Sequence, residues 1–175
     1  MFFASDNGSG AAPEIITAIT RANDGYARSY GADILDVPAD GLKAFFARGG
    51  KLLLSHGWND GLIPANNTLK FHGALSKTLD AKALEQQLRL FMAPGMEHCS
   101  GGEGPNSFDT LGTLDAWAAS GKAPELIVAN RMNSPNPNAP QLPPMSRPLC
   151  PYPQVARYRG QGSIDDADNF SCQAP

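Results

Sequence analysis

The chain has 175 residues, 42% hydrophobic and 18% charged, with a net charge of −3 at pH 7. That length suits one soluble domain or part of a larger one, and the composition excludes a repeat array or a fibre. Lysines and arginines are scattered rather than striped, which argues against nucleic acid or an anionic membrane as a partner, and no run approaches the ~20 apolar residues of a membrane helix.

The opening MFFASDNGSG has no basic n-region and no apolar stretch of useful length, so it does not read as a signal peptide. From Pro13 to Tyr30 the residues Ile15, Ile19, Ala22, Tyr26 and Tyr30 recur at three- and four-residue steps before Gly31, which predicts an amphipathic helix. Asp40 is placed to cap a short helix from Gly41 to Arg48, with Leu42, Phe45 and Phe46 turned inward and Gly49-Gly50 as its stop. The run Lys51 to His56 is apolar and bounded by glycines, the pattern of a parallel-sheet strand buried on both faces.

After a polar turn from Gly57 to Pro64, Asn66 or Asn67 caps a helix carrying Leu69, Phe71, Leu75 and Leu79. A second buried strand, Leu88 to Met92, stops at Pro94-Gly95. A helix from Asn106 to Ser120 follows, with Asn106 as cap and Phe108, Leu111, Leu114 and Trp117 toward the core; Glu125 to Ala129 is a candidate edge strand. The alternation of helix and strand with short loops predicts an α/β fold with parallel strands and flanking helices, whose sites lie at the carboxyl ends of the strands. Proline is sparse to about residue 93 and crowds between Ser134 and Pro153, so the core is expected from the first two thirds.

The cysteines are Cys99, Cys150 and Cys172. The last two lie in the Pro/Gly-rich tail, where a disulfide closing about twenty residues contributes on the order of 3 kcal/mol. Such a bond implies an oxidising compartment, periplasmic or extracellular, and leaves Cys99 without a partner in the chain.

Two strand ends carry chemistry. His56-Gly57-Trp58-Asn59-Asp60-Gly61 follows the first strand, and Gly95-Met96-Glu97-His98-Cys99-Ser100-Gly101-Gly102 follows the second. An acid and then a histidine after successive parallel strands is the order in which an α/β-hydrolase supplies the last two members of a Ser-His-Asp triad. The alternatives are blander. His56 reads as a hydrogen-bonded packing residue, and His72 as a surface residue without a partner. Trp58 is either an aromatic stacking surface for substrate or, preferably, an apolar wall beneath the Asp60 loop. A metal site from His56, Asp60, His98 and Cys99 lacks any recognised ligand spacing. Asp165, Asp166 and Asp168 lack the ligand spacing of a calcium loop and read as solvated or capping residues. Gly101-Gly102-Glu103-Gly104 lacks the Lys-Ser/Thr of a phosphate loop. No metal or cofactor is therefore expected.

Three strings narrow the choice. GGKLLLSHGWNDGLIP (49–64), LFMAPGMEHCSGGEGPNSFDTLG (90–112) and RPLCPYPQVARYRGQGSIDDADNFSC (147–172) together resemble the carboxyl-terminal part of the tannase and feruloyl esterase family. The resemblance runs from about Asp40 to Cys172 and weakens between Asn133 and Pro144. It implies an α/β-hydrolase acting on esters of aromatic acids, with Asp60 as catalytic acid and His98 as catalytic base. It also implies a disulfide from Cys99 to a cysteine just before the nucleophilic serine, and a Cys150–Cys172 bond near the carboxyl terminus.

The chain departs from the family pattern in having no Gly-x-Ser-x-Gly elbow and no Cys-Ser pair before Asp60. Ser100 stands two residues after His98, poorly placed to use that imidazole as its base. Glu97 replaces a glycine common in the family, where its carboxylate would crowd His98 or raise its pKa. The expected organisation is thus the end of a lid or a linking helix region over 1–39, the carboxyl-terminal portion of an α/β-hydrolase core over 40–131, and a disulfide-closed tail over 132–175. The early strands, the nucleophile elbow and most of the lid would lie on a complementary amino-terminal segment. Such a chain is expected to be nearly inactive alone. Its rival is a non-catalytic truncated product or interaction module using an exposed sheet edge.

Overall fold

The computed structural model describes residues 39–175. The helix expected from Pro13 to Tyr30 and the reading of the first ten residues lie outside them.

A 3₁₀ turn at Ala39–Leu42 leads into α1 (Lys43–Ala47), so the single helix expected over 41–48 is split. Asp40 falls inside the 3₁₀ turn, and the residue preceding α1 is Leu42, with no side-chain cap. β1 (Leu52–Gly57) and β2 (Leu88–Ala93) pair in parallel, from Leu52 opposite Leu88 to Gly57 opposite Ala93. Between them run α2 (Ala65–Ser76) and α3 (Ala81–Gln87), the crossover that a parallel pair requires. α2 starts directly after Pro64, whose fixed φ suits a helix entry, so neither Asn66 nor Asn67 is its cap. The periodicity gave no sign of α3. Asp80 caps it, its carboxylate accepting the Ala83 N–H at 2.8 Å.

Phe46, Leu75 and Leu88 are the buried centre of one cluster, with Leu52, Leu54, Phe71 and Leu79 packed on it. β2 is almost wholly buried, whereas β1 is only half-buried and Ser55 is exposed. The expectation that β1 is covered on both faces therefore fails among the described residues, where β2 is its one strand partner.

α4 (Thr110–Ser120) begins four residues later than expected. Asp109 caps it, accepting the Gly112 N–H at 2.7 Å, and Gly121 closes it at φ 74°. Asn106 is instead buried, its side-chain amide exchanging hydrogen bonds with the Met132 backbone. Trp117 is fully buried as expected, but Leu111 is 78% exposed.

β3 (Ile127–Asn130) pairs antiparallel with β4 (Ser146–Leu149), and β5 (Val155–Tyr158) with β6 (Phe170–Gln173). The candidate edge strand thus joins the tail rather than the β1–β2 pair. The tail is also more ordered than its proline content suggests. Cys150, just past β4, is disulfide-bonded to Cys172 in β6. Phe91, Ala93, Met96, Ile127, Ala129 and Leu149 form a second core between β2 and the β3–β4 pair.

Candidate active site

The parallel register places the exits of β1 and β2 side by side, and backbone hydrogen bonds lace the two loops that follow. Trp58 N–H donates to the Ala93 carbonyl at 3.0 Å, and Asn59 N–H to the Met96 carbonyl at 3.0 Å. Gly57 makes this approach possible. A Cβ at that position would stand 2.2 Å from the Met96 carbonyl oxygen, closer than any side chain tolerates. The β2 loop doubles back on itself through a Met96–Gly102 bridge, carrying His98 and Cys99 between. Cys99 occupies the left-handed region at φ 60°, an uncommon state for a residue with a Cβ.

Asp60 and His98 meet across the two loops. His98 Nδ1 lies 2.9 Å from Asp60 Oδ2, while Asp60 Oδ1 accepts the N–H groups of Leu62 at 2.9 Å and Ile63 at 2.8 Å. The Asp60 side chain is 4% exposed and that of His98 is 37% exposed. Burial alone would raise the Asp60 pKa. The Ile63 N–H, the His98 imidazole and the Leu62 N–H together outweigh it and hold the carboxyl at about 2, so it is ionised at neutral pH. No described residue hydrogen-bonds His98 Nε2, which leaves that nitrogen open beside a cavity of about 480 Å³. Ser55, Asp60, Ile63, His98, Cys99 and Phe108 are among its lining residues. This arrangement orients one imidazole, supplies a fixed negative charge behind it, and leaves its far nitrogen without a partner among the described residues, on a residue that lines a space large enough for a small molecule.

His56 is in the same network. Its Nε2 stands 3.2 Å from Asp60 Oδ2 and 3.0 Å from the Ile63 carbonyl, and its Nδ1 2.7 Å from Thr68 Oγ1. It is hydrogen-bonded, as the sequence implies; its closeness to Asp60 goes beyond that reading, and the i, i+4 spacing of the two residues is the signal that carries it. Cys99 is exposed and unpaired among the described residues. Ser100 is exposed too, its N–H turned back to the His98 carbonyl at 2.8 Å. Glu97 makes no ion pair with His98 among the described residues.

Trp58 does not line this cavity. It is 46% exposed and borders a second cleft of about 310 Å³ with Met92, Pro94, Arg147 and Tyr152. His72, expected on the surface without a partner, is half-buried and packs edge-to-face on Tyr152 at 5.6 Å, where burial lowers its pKa. Asp166 caps the 3₁₀ turn at Ala167–Asn169 through the Asp168 N–H. Among the described residues no group of three or more His, Cys, Asp or Glu side chains is arranged to hold a metal ion. No described helix is long and apolar enough to cross a membrane.

Comparison with known proteins agrees with these motifs. The chain is 44% identical over 134 residues to mono(2-hydroxyethyl) terephthalate hydrolase of Piscinibacter sakaiensis, a match covering 77% of this chain and 21% of that protein. It is 35% identical over 134 residues to a probable feruloyl esterase of Arthroderma benhamiae, covering 75% and 24%. Among solved structures, feruloyl esterase B from Aspergillus oryzae superposes with a TM-score of 0.62 at 26% identity, over 75% of this chain and 28% of that one. An esterase from the same organism gives 0.63 at 28% identity, over 75% and 29%. The chain therefore spans between a fifth and a third of the length of these relatives, and its fold is that of the matching portion of an α/β-hydrolase-like esterase. The family model for tannase and feruloyl esterase matches residues 17–173, and the chain belongs to that family.

Proposed function

We propose that this chain carries the acid and the base of a Ser-His-Asp carboxylic ester hydrolase that acts on small esters of aromatic acids. The observation that carries the reading is the 2.9 Å bond from His98 Nδ1 to Asp60 Oδ2, with the carboxylate buried and ionised and Nε2 left open. In the complete site His98 Nε2 takes the proton of a serine hydroxyl as its oxygen attacks the ester carbonyl. The same nitrogen then gives that proton to the departing alkoxide, leaving an acyl-serine. Water, deprotonated by Nε2, attacks the acyl carbon, and the proton returns to the serine oxygen as the acid is released. Asp60 fixes the tautomer throughout and offsets the charge of the imidazolium.

The nucleophile belongs to a segment beyond these 175 residues, since no Gly-x-Ser-x-Gly elbow occurs in them. That segment also carries the early strands, the oxyanion hole, most of the lid and the cysteine that pairs with Cys99. Residues 40–131 are then the end of the hydrolase core, 132–175 its disulfide-closed tail, and 1–39 the end of the lid or its link. The Cys150–Cys172 bond supports an oxidising compartment, secreted or periplasmic. The test is turnover of methyl ferulate and methyl gallate. The chain alone is expected to show none above background, and the chain joined to a serine-bearing segment of a family member is expected to hydrolyse at least one of them. Robust turnover by the chain alone, abolished by Ser100→Ala, would overturn the assignment. A second reading, an interaction module without catalysis, draws on the half-buried β1. It requires that the joined protein stay inactive while the chain melts cooperatively and associates through that edge.

A further inference from the structure

We infer that His56 is a positioning residue for Asp60: its neutral imidazole, held in one tautomer by Thr68, donates Nε2–H to the carboxylate oxygen that also faces His98. This rests on the reading of Asp60 and His98 as acid and base. For a neutral ring the tautomer follows from the partners. The Ile63 carbonyl, 3.0 Å from His56 Nε2, can only accept, so Nε2 carries the proton. Nδ1 is then a bare acceptor, and the Thr68 hydroxyl 2.7 Å away donates to it. The Nε2–H is aligned on the Ile63 carbonyl, and Asp60 Oδ2 stands 3.2 Å from the same nitrogen, close enough to take a share of that proton.

Asp60 accepts from three donors, the Leu62 and Ile63 N–H groups on Oδ1 and the His98 imidazole on Oδ2, and the inferred His56 contact at 3.2 Å adds a fourth on Oδ2. A carboxylate offers about four lone-pair sites, so Asp60 has no acceptor site to spare and no rotation that keeps its partners. His56 has both nitrogens engaged and its side chain is 10% exposed, which leaves it no nitrogen for proton transfer to a substrate. Its neutrality matters as much as its position. A cation there would compete with the His98 imidazolium for the same oxygen. Thr68 lies on the first turns of α2, so the inference ties the acid loop to that helix.

The test is a pH titration of the full chain by NMR, following the Asp60 13Cγ and the imidazole nitrogens and protons in the unsubstituted chain and in His56→Phe, His56→Gln and Thr68→Val. The unsubstituted chain is expected to show His56 as the Nε2–H tautomer at neutral pH and a downfield His98 Nδ1–H. In His56→Phe the Asp60 midpoint is expected to rise by about one pH unit and the His98 proton to move upfield. His56→Gln, which keeps an N–H donor, is expected to recover most of both changes. Thr68→Val keeps the side-chain shape and is expected to let His56 populate both tautomers with part of the Asp60 shift, so it decides the matter if His56→Phe does not fold. His56 in the Nδ1–H form would overturn the inference, as would Asp60 and His98 signals indifferent to both substitutions, or a His56→Gln midpoint as high as that of His56→Phe. An unsubstituted chain lacking both the low Asp60 midpoint and the downfield His98 proton would overturn the acid–base reading itself, and this inference with it.

Discussion

Asp60 shows how much of a site can reside in one side chain. Its carboxyl is nearly enclosed, which disfavours charge, yet the Ile63 N–H, His98 and the Leu62 N–H more than compensate and bring the pKa to about 2 from 3.8. Between those values the unfolded chain binds more protons than the folded one, so this contribution to stability is complete above about pH 4 and is lost as pH falls toward 2. In Asp60→Asn the amide can accept on only one side and presents a donor where the carboxylate met donors on both. The expected result of urea unfolding at several pH values is a stability gap between the two proteins that is constant above pH 4 and narrows from 4 to 2. A gap independent of pH would show that the carboxylate is not held in its charged form. The strand-end places of Asp60 and His98 were legible because they are local, but it was the family resemblance that singled the two out, and their 2.9 Å contact is visible only in the fold. The part of His56 was not legible, because it depends on Thr68 reaching back from α2.

At the scale of elements, the site exists because β1 and β2 run parallel in a register that ends both strands together, Gly57 opposite Ala93. Their loops then pack backbone to backbone, and Gly57→Ala would drive a Cβ to 2.2 Å from the Met96 carbonyl. The expected loss is about 2–3 kcal/mol of unfolding free energy, because the intruding atom meets main chain rather than a yielding side chain. Denaturant unfolding measures it, and the His98 Nδ1–H signal is expected to weaken in the same variant as the loops separate. Both strands were readable from continuous apolar runs stopped by Gly or Pro-Gly. Helix starts were less so: Asn106 and Asp109 are equally good caps three residues apart, and only the Met132 backbone, distant in sequence, claims Asn106 for another purpose. α3 escaped notice because seven residues are too few to establish a helical period, leaving Asp80 as the sole signal. The β4 and β6 pairings join segments that proline and glycine make look irregular, and long-range partners override that local preference.

For the molecule as a whole, the Pro-rich tail is a structural partner of the β2 core rather than an appendage. Tyr152 N–H donates to the Leu90 carbonyl at 2.8 Å, Pro151 bridges Phe91, and Leu149 is buried beside Ala93 and Met96. The disulfide closes this tail over a separation of 22 residues, with Cys150 held against the core and Cys172 on β6. Restricting an unfolded loop of that length stabilises the folded chain by about 3 kcal/mol in the loop-entropy description. Because β4 is packed into the same core as β2, that stabilisation belongs to the cooperative unit and not to a separately fraying end. Replacing both cysteines by serine is therefore expected to lower the free energy of one common unfolding transition by about 3 kcal/mol, with Trp117 fluorescence and far-ultraviolet dichroism still moving together. A tail that melted on its own at low denaturant, leaving the Trp117 signal in place, would show that the disulfide holds the tail alone. Below the midpoint the Asp60–His98 bond is expected to persist in the double variant, since the groups that orient it, from His56 on β1 through Leu62, Ile63 and Thr68, all lie between β1 and His98 in the chain, outside the tail.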